Sequence, residues 1–272
     1  MRPVESVRFG GAVPDIAVPA GGRLPGVRMA GFRGRAAEPV SWQLIPYPAI
    51  TLIVDFGDAR LVDASSREWR GGIVIGLDPR NVRGGGRDVD LLQVRLSPLM
   101  AYQLLGLGLE LRGAVAALAD LWGGDAARTQ ERLRTATSWR DRFAIVEAAL
   151  ARRYAVGRAP DPEVAFGWRR MVTSRGRLRV ERLAAEVGWS RKRLWSRFRD
   201  QIGLSPKRAA SLIRFDHVAH RLAAGHDAAS VAAESGFADQ SHLCREVGSF
   251  TGLTPRAVAA APWLSVDSVA WP

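Results

Sequence analysis

Hydrophobic and polar positions follow two different periods along this chain, and the change falls near Ser97. Between residues 39 and 96 the apolar positions come as short runs, SWQLIPYP, AITLIVDFG, ARLVDAS, GGIVIGL and DLLQVRL, punctuated by Gly, Asp and Pro. Runs of this length and composition predict strands. Connections so short imply antiparallel pairing, hence a small barrel or sandwich. Beyond Ser97 the apolar residues recur three and four apart in PLMAYQLLG, LRGAVAALADLWG, DAARTQERLRTA and SWRDRFAIVEAALARRYAV, which predicts helices, the last begun by Ser138 as a cap with Asp141 three residues on. GRAPDP, from Gly157, stops the helical period and reads as a linker. At 272 residues two domains are expected, here over residues 1–156 and 163–262, with 157–162 between them. Residues 1–37 are rich in Gly and Pro and carry no period that assigns them an element.

Past the linker the helical pattern is stated twice. AAEVGW from Ala184 returns as AAESGF from Ala232, and GLSP from Gly203 returns as GLTP from Gly252. In the first copy a short helix over 180–187 buries Leu183, Ala184 and Val187, Gly188 makes a tight turn, and Ser190 caps a second helix running to about Ile202. That is a helix-turn-helix plan. In the second copy Asp227 caps the first helix, Gly236 turns the chain, and the next helix starts near Asp239. A shift of 49 residues maps Leu194 onto Leu243 and Phe198 onto Val247, but carries Lys192, Trp195, Ser196 and Arg199 onto Ser241, Cys244, Arg245 and Gly248. The buried stripe repeats while the outward face changes, as two reading heads meeting different base sequences require. Ser205 and Pro206 start the helix between the units and Gly225 ends it. About 18 helical residues span roughly 27 Å, enough with the bulk of each unit to set both recognition helices in successive major-groove turns about 34 Å apart.

Charge adds a partner to this picture. The net charge is +12, and residues 168–208 hold 13 Arg or Lys against three acids, Glu181, Glu186 and Asp200. A local excess of this size calls for a polyanion. No apolar run approaches the roughly 18 residues of a membrane span, and the start of the chain lacks the apolar core of a signal peptide, so a cytoplasmic protein with no membrane partner is expected. The single cysteine, Cys244, leaves no disulfide or multi-thiolate metal site, and all four histidines (His217, His220, His226, His242) lie in the last quarter.

Residues 164–260 resemble the DNA-binding domain of the AraC/XylS family of bacterial transcription regulators. The resemblance rests on AAESGFADQSHLCREVGSFTGLTP, whose GF, DQS and TGLTP are correctly spaced; Leu243 and Val247 stand where aromatics are usual. It covers about a third of the chain. It implies an α+β protein: an N-terminal antiparallel β barrel of cupin-like plan with flanking helices, without the histidines of metal-binding cupins, and an all-α C-terminal domain with tandem helix-turn-helix units. The implied partners are double-stranded DNA, a small-molecule effector or a second copy of the chain at the N-terminal domain, and RNA polymerase if the protein activates. No cofactor, metal or catalytic residue is expected.

On this reading Arg245 and Lys192 reach guanine acceptors, Gln240 pairs with adenine, and Trp195 offers an apolar edge to a thymine methyl. Arg191, Arg193, Arg197 and Arg199, with Arg214 on the connecting helix, hold phosphates, and Ser196, Ser241 and His242 complete the contact face. Cys244 and His242, two apart on one helix, point away from each other and make no nucleophilic pair. Asp55, Asp58 and Asp63 read as turn aspartates, RGGGR at 83–87 as a hairpin tip, and the stripe Leu104, Leu105, Leu107, Leu109 and Leu111 as core or dimer surface. The competing reading is an enzyme with a catalytic N-terminal barrel and a non-specific basic DNA-tethering tail.

Overall fold

A computed structural model of the chain describes residues 15–21, 24–79, 81–106 and 113–271. The β-rich part is a single eight-stranded antiparallel sheet built on two long strands, β2 (Val27–Gln43) and β7 (Arg83–Leu96). They pair along nearly their full length, with a register shift between Arg35 and Val40 that bends the ribbon. β1 (Asp15–Ala17) lies outside β2. The far edge of β7 forks. Its second half pairs with β3 (Ile50–Asp55) and its first three residues with β4 (Arg60–Val62). β3 continues into β6 (Gly72–Ile75) and β8 (Val115–Ala117), and β4 into β5 (Glu68–Trp69). Among the described residues β1 and β8 do not pair with each other, so of the barrel or sandwich expected the sheet is an open, barrel-like form and not a closed one.

Two local expectations are corrected. RGGGR is no hairpin tip but the start of β7, paired on both edges, with β2 on one side and β4 on the other. Its glycines are needed there, because a Cβ at Gly84 would collide with the Trp42 indole and one at Gly86 would lie 2.8 Å from the Asp58 carboxylate. Residues 115–117, in a segment whose period suggested helix, form β8, because the exposed edge of β6 pairs with them from Ile73–Ala117 to Ile75–Val115. The unassigned N-terminal region supplies β1 and the beginning of β2. Of the leucine stripe, Leu104 is core and Leu105 packs against it, while Leu107, Leu109 and Leu111 lie outside the described residues. Of the aspartates read as turn residues, Asp63 is one, Asp58 ties its turn to β7, and Asp55 is instead the last residue of β3. Asp63 accepts from the backbone N–H groups of Ser65 and Arg67 and from the Trp69 indole, and Asp58 accepts from those of Arg87 and Asp88.

Strand alternation gives the sheet two apolar faces. Ile50, Leu52, Val54, Leu92, Val94 and Leu96 point into a core shared with α1 (Pro98–Leu105), α2 (Leu118–Trp122), α3 (Gly124–Thr135) and α4 (Trp139–Val156). That core runs on without a break into the C-terminal helices. Ser138 caps α4, accepting from the Asp141 N–H at 3.1 Å. The intervening residues, Thr51, Ile53 and Asp55 on β3 and Val89, Leu91, Gln93 and Arg95 on β7, face a cavity on the other side. The residues read as a linker are pinned: the Asp161 N–H donates to Gln201 at 2.8 Å and its carboxylate accepts from Arg197 at 2.8 Å. Among the described residues no helix is long and apolar enough to cross a membrane.

Candidate nucleic-acid interface

Beyond Asp161 the chain is helical: α5 (Pro162–Thr173), α6 (Val180–Glu186), α7 (Arg191–Ile202), α8 (Pro206–Ala223), α9 (Ala228–Glu234), α10 (Gln240–Thr251), α11 (Pro255–Ala259) and α12 (Pro262–Ala270). The two repeats fold as two equivalent pairs, α6–α7 and α9–α10. Each pair turns on a glycine in the left-handed region, Gly188 at φ +66° and Gly236 at φ +74°, a conformation that side chains disfavour. Each second helix starts on a side-chain cap, Ser190 accepting from the Arg193 N–H at 3.2 Å and Asp239 from the His242 N–H at 2.7 Å. Each ends on a left-handed glycine, Gly203 or Gly252. Leu194, Phe198 and Ile202 of α7 and Leu243, Val247 and Phe250 of α10 are buried. α8, capped by Ser205 and led by Pro206, runs between the units and packs against α5, α7, α9, α10 and α11.

What the core leaves outward is polar and basic. Lys192, Ser196, Gln240, Ser241 and Arg245 are exposed, and among the described residues Lys192 and Arg245 make no ion pair. Trp195 is 46% exposed, with the Arg199 guanidinium over its ring at 4.7 Å. Arg193 covers Trp189 at 4.5 Å, and Arg191 makes only a long, exposed contact with Glu181 at 3.8 Å. Such an exposed pair is worth little, so Arg191 is free to exchange it for a phosphate. His242 is half-buried, its ring edge-on to Phe237.

Two expected phosphate ligands are occupied elsewhere. Arg214 forms two hydrogen bonds with Glu246, at 3.0 and 2.8 Å, and lies over Phe237 at 4.7 Å, which ties α8 to α10. Arg197 is held by Asp161. The sequence signal was present in both cases, since Glu246 and Asp161 are acids, but their proximity comes from the fold. Gln201 and Phe250 went unread. Gln201 is 1% exposed because its amide anchors the backbone before α5, and Phe250 stacks on Phe215 at 4.8 Å under the Arg208 guanidinium.

A family model described as a helix-turn-helix domain matches residues 183–261, the span of both pairs. Residues 183–261 of this chain are a helix-turn-helix domain. No curated protein sequence matches the chain. Solved structures similar to it include ToxT from Vibrio cholerae O395, 14% identical with a TM-score of 0.48 over 88% of this chain and 98% of that one. ToxT from the same source bound to (E)-4-(8-methylnaphthalen-1-yl)but-3-enoic acid is 14% identical, with a TM-score of 0.48 over 87% and 99%. The C-terminal domain of AraT, a response regulator from Geobacillus stearothermophilus, is 18% identical, with a TM-score of 0.35 over 37% of this chain and 85% of that one.

The helix-turn-helix domain is bolted to the sheet. Arg208 of α8 pairs bidentately with Asp78 at 2.9 and 2.7 Å, the Gln43 amide donates to the Thr251 carbonyl at 2.6 Å, and Arg95 of β7 pairs with Asp267 of α12 at 2.8 Å. α8 and α12 also roof the sheet's second face, enclosing a cavity of about 190 Å³. Leu61, Trp69, Ile73 and Leu91 make most of it apolar, with Asp216, Asp267 and Arg95 on its wall.

Proposed function

We infer that this chain is a transcription regulator that binds double-stranded DNA sequence-specifically, with α7 and α10 as its two recognition helices. One observation carries the reading. The two units repeat their buried stripes and turns while presenting different, unpaired outward side chains, Lys192 on one and Arg245 on the other. Lys192, Arg245 and Gln240 read bases; Arg191, Arg193 and Arg199 set register on phosphates, with Trp195, Ser196, Ser241 and His242 along the same helices. Two different heads in one chain suit an asymmetric site, and α8, of 18 residues, is about 27 Å of rigid spacer.

A small-molecule effector acting at the cavity under α8 and α12 controls this binding. Both helices belong to the C-terminal part, so a ligand there meets the DNA-binding domain directly, and it shifts DNA affinity only as far as it binds one domain arrangement better than another. Dimerisation through the N-terminal part and contact with RNA polymerase complete the proposal for an activator. The test is fluorescence anisotropy of the full chain on a duplex selected from a random pool. Arg245→Ala and Lys192→Ala each weaken specific binding by about 5- to 150-fold, the worth of a bidentate base contact, and leave binding to unrelated duplex nearly unchanged. Equal loss on both duplexes would instead favour a tethered enzyme.

A further inference from the structure

One end of the cavity described above is built on Arg95, and its chemistry narrows what fits. Arg95 sits there with its guanidinium sandwiched between the rings of Tyr47, at 4.0 Å, and Trp271, at 4.2 Å. Its two terminal nitrogens are taken by Asp267, at 3.3 and 2.8 Å. That leaves Nε–H, buried and without an acceptor. Trp271, 8% exposed and also on the cavity wall, leaves its indole N–H without an acceptor as well. Buried donors in folded proteins are nearly always paired, so two orphans lining one cavity ask for an oxygen.

The surrounding charge decides which kind. Arg95 and His220 face Asp267 and Asp216, with His220 Nε2 at 3.3 Å from Asp267 and its Nδ1–H donating to the Asp216 carbonyl at 2.8 Å. With His220 protonated, two cations already balance two carboxylates. A ligand carboxylate would add a third anion beside Asp216 and Asp267, where burial has already pushed the Asp216 carboxyl up to about 6. Asp55, at the far end of the β3 floor, is likewise pushed up to about 6 by burial. A cationic ligand would meet Arg95, with Arg60 and Arg70 also on the wall.

Resting on the effector reading above, we propose that this cavity binds an uncharged, largely apolar molecule whose single hydrogen-bond acceptor, a carbonyl or hydroxyl oxygen, is held by the Arg95 and Trp271 N–H groups. Its apolar body lies along Ile53, Leu61, Ile73 and Leu91. Because Trp271 follows α12 and Asp216 lies on α8, occupancy tightens the contact between the sheet and the DNA-binding domain.

Calorimetric titration of the full chain with three ten-carbon probes, 2-decanone, decanoate and decylammonium, tests this. The ketone is expected to bind at least tenfold more tightly than either ion. Trp271→Phe, which keeps the ring and removes the N–H, is expected to weaken ketone binding by about 3- to 10-fold, the worth of one neutral hydrogen bond. Decanoate or decylammonium binding as well as the ketone, an unchanged affinity in Trp271→Phe, or no binding by any probe would overturn the proposal. DNA affinity is measured on the same samples. Intact specific DNA binding without ketone binding defeats this inference alone, whereas loss of specific DNA binding by unmodified protein defeats the regulator reading.

Discussion

Arg245 and Arg214 show how far a residue's type falls short of its role. Both are arginines on helices of the DNA-binding part, yet Arg245 is exposed and unpaired while Arg214 is 20% exposed and locked to Glu246. A sequence reading assigns both to DNA; the fold leaves only the first available. Arg208 belongs with Arg214. It pairs with Asp78, whose side chain is 6% exposed, and caps the Phe250 ring at 3.8 Å. Removing one partner of a buried pair strands the other, at a cost of about 3–5 kcal/mol. Arg208→Ala is therefore expected to lower the unfolding free energy measured by urea denaturation by that amount, far more than Lys192→Ala, whose exposed side chain has no partner to strand. Equal, small effects from both would mean the Arg208–Asp78 contact contributes little to stability.

At the scale of elements, the turns were the most readable part and the strand edges the least. Gly188 and Gly236 were legible because a short, sharp turn between amphipathic helices demands a backbone that only glycine adopts cheaply. At Gly188 an added Cβ meets nothing within 4 Å, so Gly188→Ala costs only the left-handed backbone, about 1–2 kcal/mol. At Gly176, φ +72°, the added Cβ collides with the Ala210 carbonyl of α8, so Gly176→Ala is expected to cost clearly more in the same denaturation series. By contrast β8 and the glycine run of β7 were misread, because pairing across a sheet edge depends on a neighbour distant in sequence. The contact of α12 with α8 and the sheet was equally invisible, and it carries a pH dependence. The Asp267 hydrogen bond raises the pKa of His220 from 6.5 to about 9, outweighing burial. Stability owed to the charged imidazole is complete below 6.5 and is lost as pH rises toward 9. The thermal midpoint is expected to fall across that window, and His220→Gln to flatten the fall; an identical pH profile in the variant would remove His220 from the contact.

At the scale of the molecule, the sequence told what the C-terminal part does but not how the two parts meet. The repeat, its caps and its basic face carried the helix-turn-helix reading, because those are local properties of amphipathic helices. The open sheet, the continuous core and the cavity roofed by the DNA-binding part were not legible, since each arises from packing between segments distant in sequence. The central claim is that one chain carries two reading heads, one around Lys192 and the other around Arg245, spaced by α8. Selection of duplexes from a random pool by the full chain, repeated with Lys192→Ala and with Arg245→Ala, tests it most directly. The account predicts that each variant loses base preference at a different position, the two about 10 base pairs apart. Loss at one shared position, or a preference that neither substitution changes, would contradict it.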